Sequence, residues 1–246
     1  MAIGNTQNCP LAEVFGITKS YGRFTAIRDV SFAINSDEIL GLIGPNGAGK
    51  TTLFECLAGV QPFDAGSISF GRPDHCQSRS SVLFYVPDGV APWPQQSAGW
   101  GLEFTLGLWR GRRELHDEVV RDLGLESLLP IRIGALSKGQ RKRFLLAVGL
   151  LAPQPLVIID EPFEGLDLRQ SRELEATLRK HVALGRTLFL SIHQIADAAR
   201  ICDRFVLLSN GRLVAEGALE ELTAMAADRV GHLPNQDFEE IFLALT

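Results

Sequence analysis

One run of residues near the start of the chain carries the groups that bind nucleotide phosphates. Residues 44–52 read Gly-Pro-Asn-Gly-Ala-Gly-Lys-Thr-Thr, and we call them the phosphate loop. The glycines permit backbone angles at which successive N–H groups converge on one anion, Lys50 adds a full positive charge, and Thr51 offers a hydroxyl to Mg²⁺. The run therefore predicts a nucleoside triphosphate site formed by Gly44, Pro45, Asn46, Gly47, Ala48, Gly49, Lys50, Thr51 and Thr52.

Two elements must position this loop. Residues 38–43 form a short apolar run bounded by turn signals, which predicts a buried strand. Residues 50–58 predict a helix that Gly59 ends, and its N-terminus adds a partial positive charge. An ordinary glycine-rich turn is the alternative, but the order strand, loop, Lys-Thr, helix favours phosphate binding.

Composition sets the class of protein. The chain has 246 residues, of which 46 % are hydrophobic and 22 % charged, as in globular domains. Its net charge of −5 supplies no broad basic surface for nucleic acid, so we expect no nucleic-acid partner. The four cysteines form no C-x-x-C pair that would indicate zinc or redox chemistry, and their sparse use fits a reducing compartment: Cys9, Cys56, Cys76 and Cys202.

The sequence predicts a soluble, cytoplasmic chain. Its N-terminus is polar and lacks the basic start and apolar core of a signal peptide. The longest apolar run, residues 144–152, is much shorter than the roughly 18 to 20 residues of a membrane span. If the chain serves a membrane process, another chain must supply the membrane part.

Short apolar runs and turn residues predict an α/β core. Asn210-Gly211 is a strong hairpin signal, and a helix with four-residue spacing follows Asp160-Glu161-Pro162 and stops at Gly185. Helices are also expected at 219–227 and 238–245. The predicted strands are 11–17, 30–34, 67–70, 82–86, 155–159, 187–191, 205–208 and 212–214, with a turn at 19–22.

The segment from about residue 97 to residue 151 has a helical pattern without a convincing strand, so we interpret it as a helical insertion. Trp93, Trp100 and Trp109 fall in one short interval beside a loop rich in turn formers. They are either packing residues of the insertion or a docking surface, since tryptophan is enriched in binding hot spots. The sequence favours neither interpretation.

A second segment has features of an anion site. Ser137 and Gln140 have the spacing of a capping box at the start of a helix that runs to about residue 151. Lys138 and the basic run 141–143 crowd its first turns, where the helix dipole favours acidic residues. A bound anion would resolve this conflict, and Gly139 would let the backbone approach it. Taken alone, a solvated basic face is the simpler interpretation.

Together with the phosphate loop, these residues make the sequence resemble the ATP-binding-cassette (ABC) ATPases over nearly the whole chain, from Leu11 to the final helix. Lys138 stands where the family's signature usually has glycine. The motifs occur in the family's order: Tyr21 as the adenine-stacking aromatic, 44–52 as Walker A, 136–140 as the signature segment, 156–161 as Walker B, 164–167 as the D-loop and His193 as the switch histidine.

The element order and the resemblance imply the fold. We expect one ABC ATPase domain over residues 1–246, of the α/β class, with a P-loop NTPase core in which helices flank a mixed sheet. An antiparallel β region and a helical subdomain accompany it. The expected boundaries are 11–87 and 152–217 for the β-rich core, 88–151 for the helical subdomain with the signature, and 218–246 for C-terminal helices.

The resemblance implies catalytic roles. Asp160 ends a buried strand and would hold Mg²⁺, Glu161 would be the general base, and His193 would contact the γ-phosphate together with Lys50. A lone histidine is more often structural, so this role depends on the family pattern. For Tyr21, a surface turn aromatic is the alternative to adenine stacking.

The resemblance also implies that two chains share each ATP. They meet head to tail, as a homodimer or with a related second ATPase. Ser137, Gly139 and Gln140 of one chain then cover the ATP held by the other, and Asp167 of the D-loop is also expected at the nucleotide. Binding closes the dimer, whereas hydrolysis and phosphate release reopen it.

One position departs from the family. Asp88 stands where a glutamine commonly follows the strand 83–86, and Gln95 and Gln96 lie too far along the chain to replace it. An aspartate can bind Mg²⁺ but cannot donate a hydrogen bond when ionised, which puts the usual coupling role of the glutamine in doubt. We expect Asp88 to be a metal ligand. Both this residue and the tail 237–246 resemble export-type members.

The sequence therefore predicts the ATPase subunit of an ABC transporter of the export type, in which a separate permease spans the membrane and holds this chain at its inner face. A soluble ABC ATPase that acts on a non-membrane assembly partner is the alternative. A DNA-repair ATPase of this superfamily would carry a long coiled coil between Lys50 and Ser137, where no sustained heptad occurs. A GTPase would show an Asn-Lys-x-Asp motif, which is absent from the sequence.

Overall fold

Two sheets form the framework of the computed structural model, which describes residues 10–71, 77–230 and 238–246. The larger sheet has the strand order β5-β6-β7-β3-β8-β9 and the smaller one β2-β1-β4. The strands are β1 Ala12–Tyr21, β2 Phe24–Ile34, β3 Ile39–Ile43, β4 Ala65–Phe70, β5 Leu83–Val86, β6 Leu156–Ile159, β7 Thr187–Ile192, β8 Arg204–Ser209 and β9 Arg212–Gly217.

The larger sheet is mixed, because β5 to β8 and β3 are parallel and β9 pairs antiparallel with β8. The smaller sheet is antiparallel throughout. The helices are α1 Lys50–Ala58, α2 Arg79–Val82, α3 Ala98–Trp109, α4 His116–Asp122, α5 Lys138–Leu151, α6 Leu168–Ala183, α7 Ile195–Ile201, α8 Leu219–Val230 and α9 Phe238–Leu245.

The central strand β3 faces two hydrophobic cores. Ile39 and Ile43 belong to one core, and Leu40 and Leu42 to the other. Side chains alternate along a strand, so a strand that is buried on both faces must be apolar at every position. This continuous burial fixes the carboxyl end of β3, from which the phosphate loop starts.

The core that contains Leu40 and Leu42 joins the small sheet, α1 and the large sheet. The ring of Phe189 on β7 lies 5.5 Å from that of Phe32 on β2 and 4.9 Å from that of Phe54 on α1, measured between centroids. Each buried phenylalanine stabilises the fold by roughly 1.5–3 kcal/mol relative to an exposed one. The helix behind the phosphate loop is thus held from both sides.

The core that contains Ile39 and Ile43 holds the helical segment and α6 to α9 on the other face of the large sheet. Phe144 and Leu146 of α5, Leu178 of α6 and Ile201 of α7 are fully buried in it. The helical pattern predicted for 97–151 is confirmed, since α3, α4 and α5 occupy this segment with short 3₁₀ turns between them. The exact limits of the subdomains stay predictions.

Most predicted elements are confirmed, and one is wrong. The turn predicted at 19–22 begins only at Gly22, because Lys19 and Tyr21 still pair with β2. The helices α2 and α7 were not predicted. The Asn210-Gly211 hairpin is confirmed by the antiparallel pairing of β8 and β9.

The remaining sequence predictions concern cysteines and membrane spans. Cys56 and Cys202 are buried free thiols, whereas Cys9, Cys76 and the first residue of the predicted tail, Asp237, lie outside the described residues. Within the part of the chain that the structure describes, no helix has the length and apolar character required to cross a bilayer.

Candidate functional site

Close packing shapes the phosphate loop. At Gly44 an added Cβ would lie 2.3 Å from the carbonyl oxygen of Leu208 on β8, and at Gly49 it would lie 2.6 Å from that of Ala26 on β2. Gly49 also has φ +103°, and Gly47 has φ +79°, which other residues rarely adopt. The loop is therefore wedged between two strands, in a conformation that glycine alone fits.

Lys50 is the first residue of α1, and its side chain turns back into the loop. It is only 6 % exposed, and its ammonium donates to the carbonyl oxygens of Gly44 at 2.7 Å and Pro45 at 3.2 Å. Burial lowers the pKa of Lys50, and the carboxylates of Glu161 and Asp160 oppose this shift. An anionic phosphate beside the ammonium would offset the cost of its burial.

The hydroxyl of Thr51 meets the carboxylate of Asp160. Thr51 Oγ1 donates to Asp160 Oδ2 at 2.9 Å, and the other carboxylate oxygen accepts from the hydroxyl of buried Ser191. Asp160 follows β6 directly and is buried. A hydroxyl and a carboxylate are hard oxygen ligands of the kind that Mg²⁺ takes together with substrate phosphates. The residues present therefore fit the predicted magnesium ion.

Glu161 has an unusual backbone conformation. Its φ is +50°, in the left-handed region that is costly for residues with a Cβ. Its N–H donates to Ser191 Oγ at 2.8 Å, and its carbonyl oxygen accepts from Lys142 Nζ at 2.6 Å. Burial, with further contributions from Glu164 and Asp160, raises the pKa of the Glu161 carboxyl. A raised pKa is typical of a carboxylate that accepts protons in catalysis.

Two adjoining clefts bring the predicted catalytic residues together. One is lined by Glu161 and by most of the phosphate loop, including Lys50 and Thr51. The other is lined by Glu161 and by His193, an exposed residue directly after β7. Asn46 and Glu161 line both clefts, so Glu161 stands between the phosphate loop and His193.

The aromatic residue predicted to stack on adenine lies at the edge of the site. Tyr21 is 45 % exposed, and the Lys19 ammonium lies 5.1 Å from the centroid of its ring. Its cross-strand neighbour is Phe24, which lines the phosphate-loop cleft. Sequence reasoning missed Phe24, although an aromatic residue beside a hairpin turn was a signal. Stacking on Tyr21 stays a prediction.

The predicted capping box at the start of α5 is confirmed. Ser137 Oγ accepts from the N–H of Gln140, whose side chain accepts from the N–H of Ser137. The Lys138 ammonium lies 2.9 Å from a carboxylate oxygen of Glu164. One of the basic residues in the first turns of α5 is therefore paired with a protein carboxylate. An added Cβ at Gly139 would lie 4.0 Å from the carbonyl oxygen of Gly165, which places the signature segment beside the D-loop.

The remaining predicted site residues have protein partners. Asp167 caps α6, accepting from the N–H of Gln170 at 2.8 Å. The carboxylate of Asp88 lies 3.0 Å from the ammonium of Lys142. Binding of nucleotide by Asp167 and of a metal by Asp88 stay predictions.

Sequence reasoning missed Ser191 and Lys142 as parts of this site. Ser191 is a polar residue near the end of an apolar strand, and Lys142 is one of several basic residues on α5. Neither feature of the sequence predicted that the side chain of Ser191 or of Lys142 would lie against the backbone of Glu161.

The tryptophans do not form a single cluster. Trp93 packs against Trp100 and Phe104, with centroids 5.9 and 5.1 Å apart, whereas Trp109 packs against Phe84 at 5.1 Å. Packing therefore accounts for part of each ring. Trp100 and Trp109 remain 40 % and 36 % exposed, which leaves surface for a partner.

Comparison with known proteins gives consistent results. The sequence model of the ABC transporter family matches residues 27–164. The Nod factor export ATP-binding protein I of Rhizobium sp. (strain N33) is 35 % identical over 219 residues, covering 84 % of this chain and 70 % of that protein. The thiamine import ATP-binding protein ThiQ of Salmonella choleraesuis (strain SC-B67) is 34 % identical over 200 residues, which cover 78 % of this chain and 85 % of that protein.

A solved structure described as the ATP binding subunit of an ABC transporter superposes with a TM-score of 0.83 at 28 % identity. The match covers 96 % of this chain and 99 % of that one. The likeness therefore extends over both sheets and the helical segment.

Proposed function

This chain belongs to the ABC transporter family as an ATP-binding subunit that hydrolyses ATP, and we propose that Glu161 is the general base of that hydrolysis. The proposal is carried by one observation: Glu161 lines both the phosphate-loop cleft and the cleft of His193. Its raised pKa and its fixed backbone support the same role.

In the proposed reaction, the carboxylate of Glu161 accepts a proton from water as the water oxygen bonds to the γ-phosphorus. The bond from that phosphorus to the bridging oxygen breaks, and ADP and phosphate are the products. Lys50, the loop N–H groups and the N-terminus of α1 hold the phosphates, and His193 contacts the γ-phosphate. Mg²⁺, held by Thr51 and Asp160, would neutralise charge on the phosphate oxygens.

Two chains would complete each site. Ser137 is exposed at the start of α5, and the cleft around the phosphate loop is lined by other residues of the same chain. The signature segment is therefore available to the nucleotide of a second copy or of a related ATPase. The exposed helix end would then supply N–H groups to the partner's ATP.

The partner that couples ATP to transport is proposed to be a membrane permease, which would hold this chain peripherally at the cytoplasmic face. A broad groove supports such docking, since it is lined by Val60, Tyr85, Val90 and Trp109 and flanked by charged Arg79. Exposed apolar groups with a polar rim mark protein interaction sites. Export is the proposed direction because of the similarity to Nod factor export proteins, although import proteins are similar as well.

The permease proposal is tested by purifying the tagged chain from detergent-solubilised membranes. We expect a polytopic membrane protein to copurify with the wild type and to be lost from Val60→Asp, which places a charge in the groove. Leu184→Asp is the matched control, since it changes an exposed apolar residue that does not line the groove. Copurification with a soluble scaffold in place of a membrane protein would support the alternative of a non-membrane assembly partner.

A further inference from the structure

Lys142 is a buried cation that the reaction described above does not use. It lies on α5 and is 6 % exposed. Its ammonium is 3.0 Å from Asp88 Oδ1, 3.6 Å from Glu164 Oε2 and 2.6 Å from the carbonyl oxygen of Glu161. An ammonium has three donors. The three oxygens come from two segments of the chain: Asp88 follows β5, whereas Glu161 and Glu164 both lie in the loop between β6 and α6.

The two carboxylates account for the presence of a buried charge, but they do not account for the shortest contact. A buried ammonium is costly unless it is paired, and Asp88 and Glu164 provide that pairing. The shortest of the three contacts nevertheless goes to the neutral backbone of Glu161. A charged donor makes a stronger hydrogen bond to a carbonyl than a neutral donor does.

The backbone of Glu161 needs such support. Its left-handed φ of +50° is sparsely populated by residues with a side chain and persists where surrounding contacts fix it. Two contacts do so here: the N–H is held by Ser191, and the carbonyl oxygen is held by Lys142. With the N–H and the carbonyl oxygen of Glu161 both anchored, the direction in which its side chain leaves the backbone is set.

We propose that Lys142 is a positioning residue for Glu161, and that Asp88 acts on the reaction through Lys142. This inference rests on the proposed role of Glu161 as general base. The chain of contacts runs from the carboxylate after β5, through a cation on the signature helix α5, to the backbone of the base after β6. Asp88 thus stands where the family commonly has glutamine, and it acts there through its ion pair with Lys142.

The test measures ATP hydrolysis by the full-length chain, with kcat and KM determined separately. Lys142→Met keeps an apolar stem of similar length but removes all three donors. We expect kcat to fall by about 10²-fold, the effect of moving a catalytic group by about 1 Å, with KM for ATP unchanged. Lys180→Met is the control, since it makes the same lysine-to-methionine change on α6, where the Lys180 ammonium pairs with Glu118 and Asp122. It should hydrolyse ATP like the wild type.

A second variant separates positioning from general stabilisation. In a Glu161→Gln background the base is already absent, so Lys142→Met should lower the residual rate no further. A purely structural role would lower both rates by the same factor, and that result would overturn the proposal. Lys142→Arg restores a buried cation and should recover part of kcat. Should Lys142→Met fail to fold, the comparison of Lys142→Arg in the two backgrounds decides in the same way.

Asp88→Asn tests the outer link. If Asp88 acts through Lys142, the double variant Asp88→Asn/Lys142→Met has the kcat of Lys142→Met alone. If the losses of kcat from the two substitutions multiply in the double variant, and Asp88→Asn requires more Mg²⁺ than the wild type, then Asp88 binds the metal instead. If Glu161→Gln is inactive and Lys142→Met retains the wild-type kcat, this proposal fails while the function stands. If Glu161→Gln itself retains the wild-type rate, the proposed general base fails.

Discussion

The hydroxyl of Thr51 lies 2.9 Å from the carboxylate of Asp160, although 109 positions separate the two residues in the sequence. The contact joins the phosphate loop to the carboxyl end of β6. In an open α/β sheet, ligands bind outside the carboxyl ends of the strands, where residues distant in sequence meet. Here β3, β6 and β7 deliver the loop, Asp160-Glu161 and His193 to one edge of the sheet.

The Thr51–Asp160 pair predicts how the enzyme responds to Mg²⁺. Thr51→Val keeps the shape of the side chain but removes the oxygen that would hold the metal. We expect hydrolysis at saturating ATP to require at least about tenfold more Mg²⁺, in keeping with the loss of one metal–ligand interaction. Thr51→Ser, which keeps the hydroxyl, should behave like the wild type. A Mg²⁺ titration of the ATPase rate checks this, and equal midpoints for Val and wild type would contradict the metal assignment.

Lys50→Ala is expected to weaken nucleotide binding. The ammonium makes charge-assisted contacts that are worth about 1.5–3 kcal/mol each, so ATP affinity should fall roughly 10- to 100-fold. The measurement is a calorimetric titration with ATP. Lys180→Ala is the control, since it removes an exposed lysine of α6 whose ammonium pairs with Glu118 and Asp122 of α4. Unaltered affinity in Lys50→Ala would refute the phosphate-loop assignment.

The elements around the site were largely predictable from local signals. The bounds of α1 are as predicted, because Gly49 precedes it and Gly59 ends it in the left-handed conformation. Apolar runs also indicated β3, β6 and β7. The end of β1 was missed because Lys19-Ser20-Tyr21 has turn-like composition, and its strand conformation comes from pairing with β2.

The contacts that orient Glu161 could not be predicted from the sequence. Lys142 is 19 positions away and Ser191 is 30 positions away, so only tertiary packing brings them to its carbonyl oxygen and its N–H. Local patterns fix helix and strand boundaries, but not which side chain of α5 turns inward. The two residues that hold Glu161 therefore became visible only in the structure.

The raised pKa of Glu161 predicts a pH-dependent effect on stability. Since burial disfavours the ionised carboxylate, the folded state carries a penalty above the raised folded-state pKa, and this penalty is absent below the unfolded-state pKa of about 4.3. Glu161→Gln removes the penalty, so its Tm should exceed that of the wild type at pH 8. The difference should shrink as the pH falls through the raised pKa. Thermal unfolding at several pH values measures it, and a lower Tm for Glu161→Gln at pH 8 would contradict the pKa direction.

The proposed shared site predicts complementation between two damaged subunits. Lys50→Ala damages the phosphate loop, and Ser137→Arg places a bulky cation where the signature segment must approach phosphate. Every site of either homodimer carries a lesion, whereas one site of the mixed dimer pairs an intact Lys50 with an intact Ser137. Trapping of ATP should therefore reappear in isolated mixed dimers. Mixed dimers that trap no more ATP than either parent would count against a site formed by two chains.

The rate of ATP hydrolysis by Glu161→Gln tests the central claim most directly. Glutamine keeps the size of the side chain but cannot accept the proton, so we expect ATP binding to persist and hydrolysis to fall by on the order of 10²- to 10⁴-fold. Glu173→Gln, the same change at an exposed residue of α6, should leave the rate unaltered. Accumulation of an ATP-bound closed dimer in Glu161→Gln would complete the predicted result. Hydrolysis by Glu161→Gln at a rate close to that of the wild type would show that Glu161 is not the base.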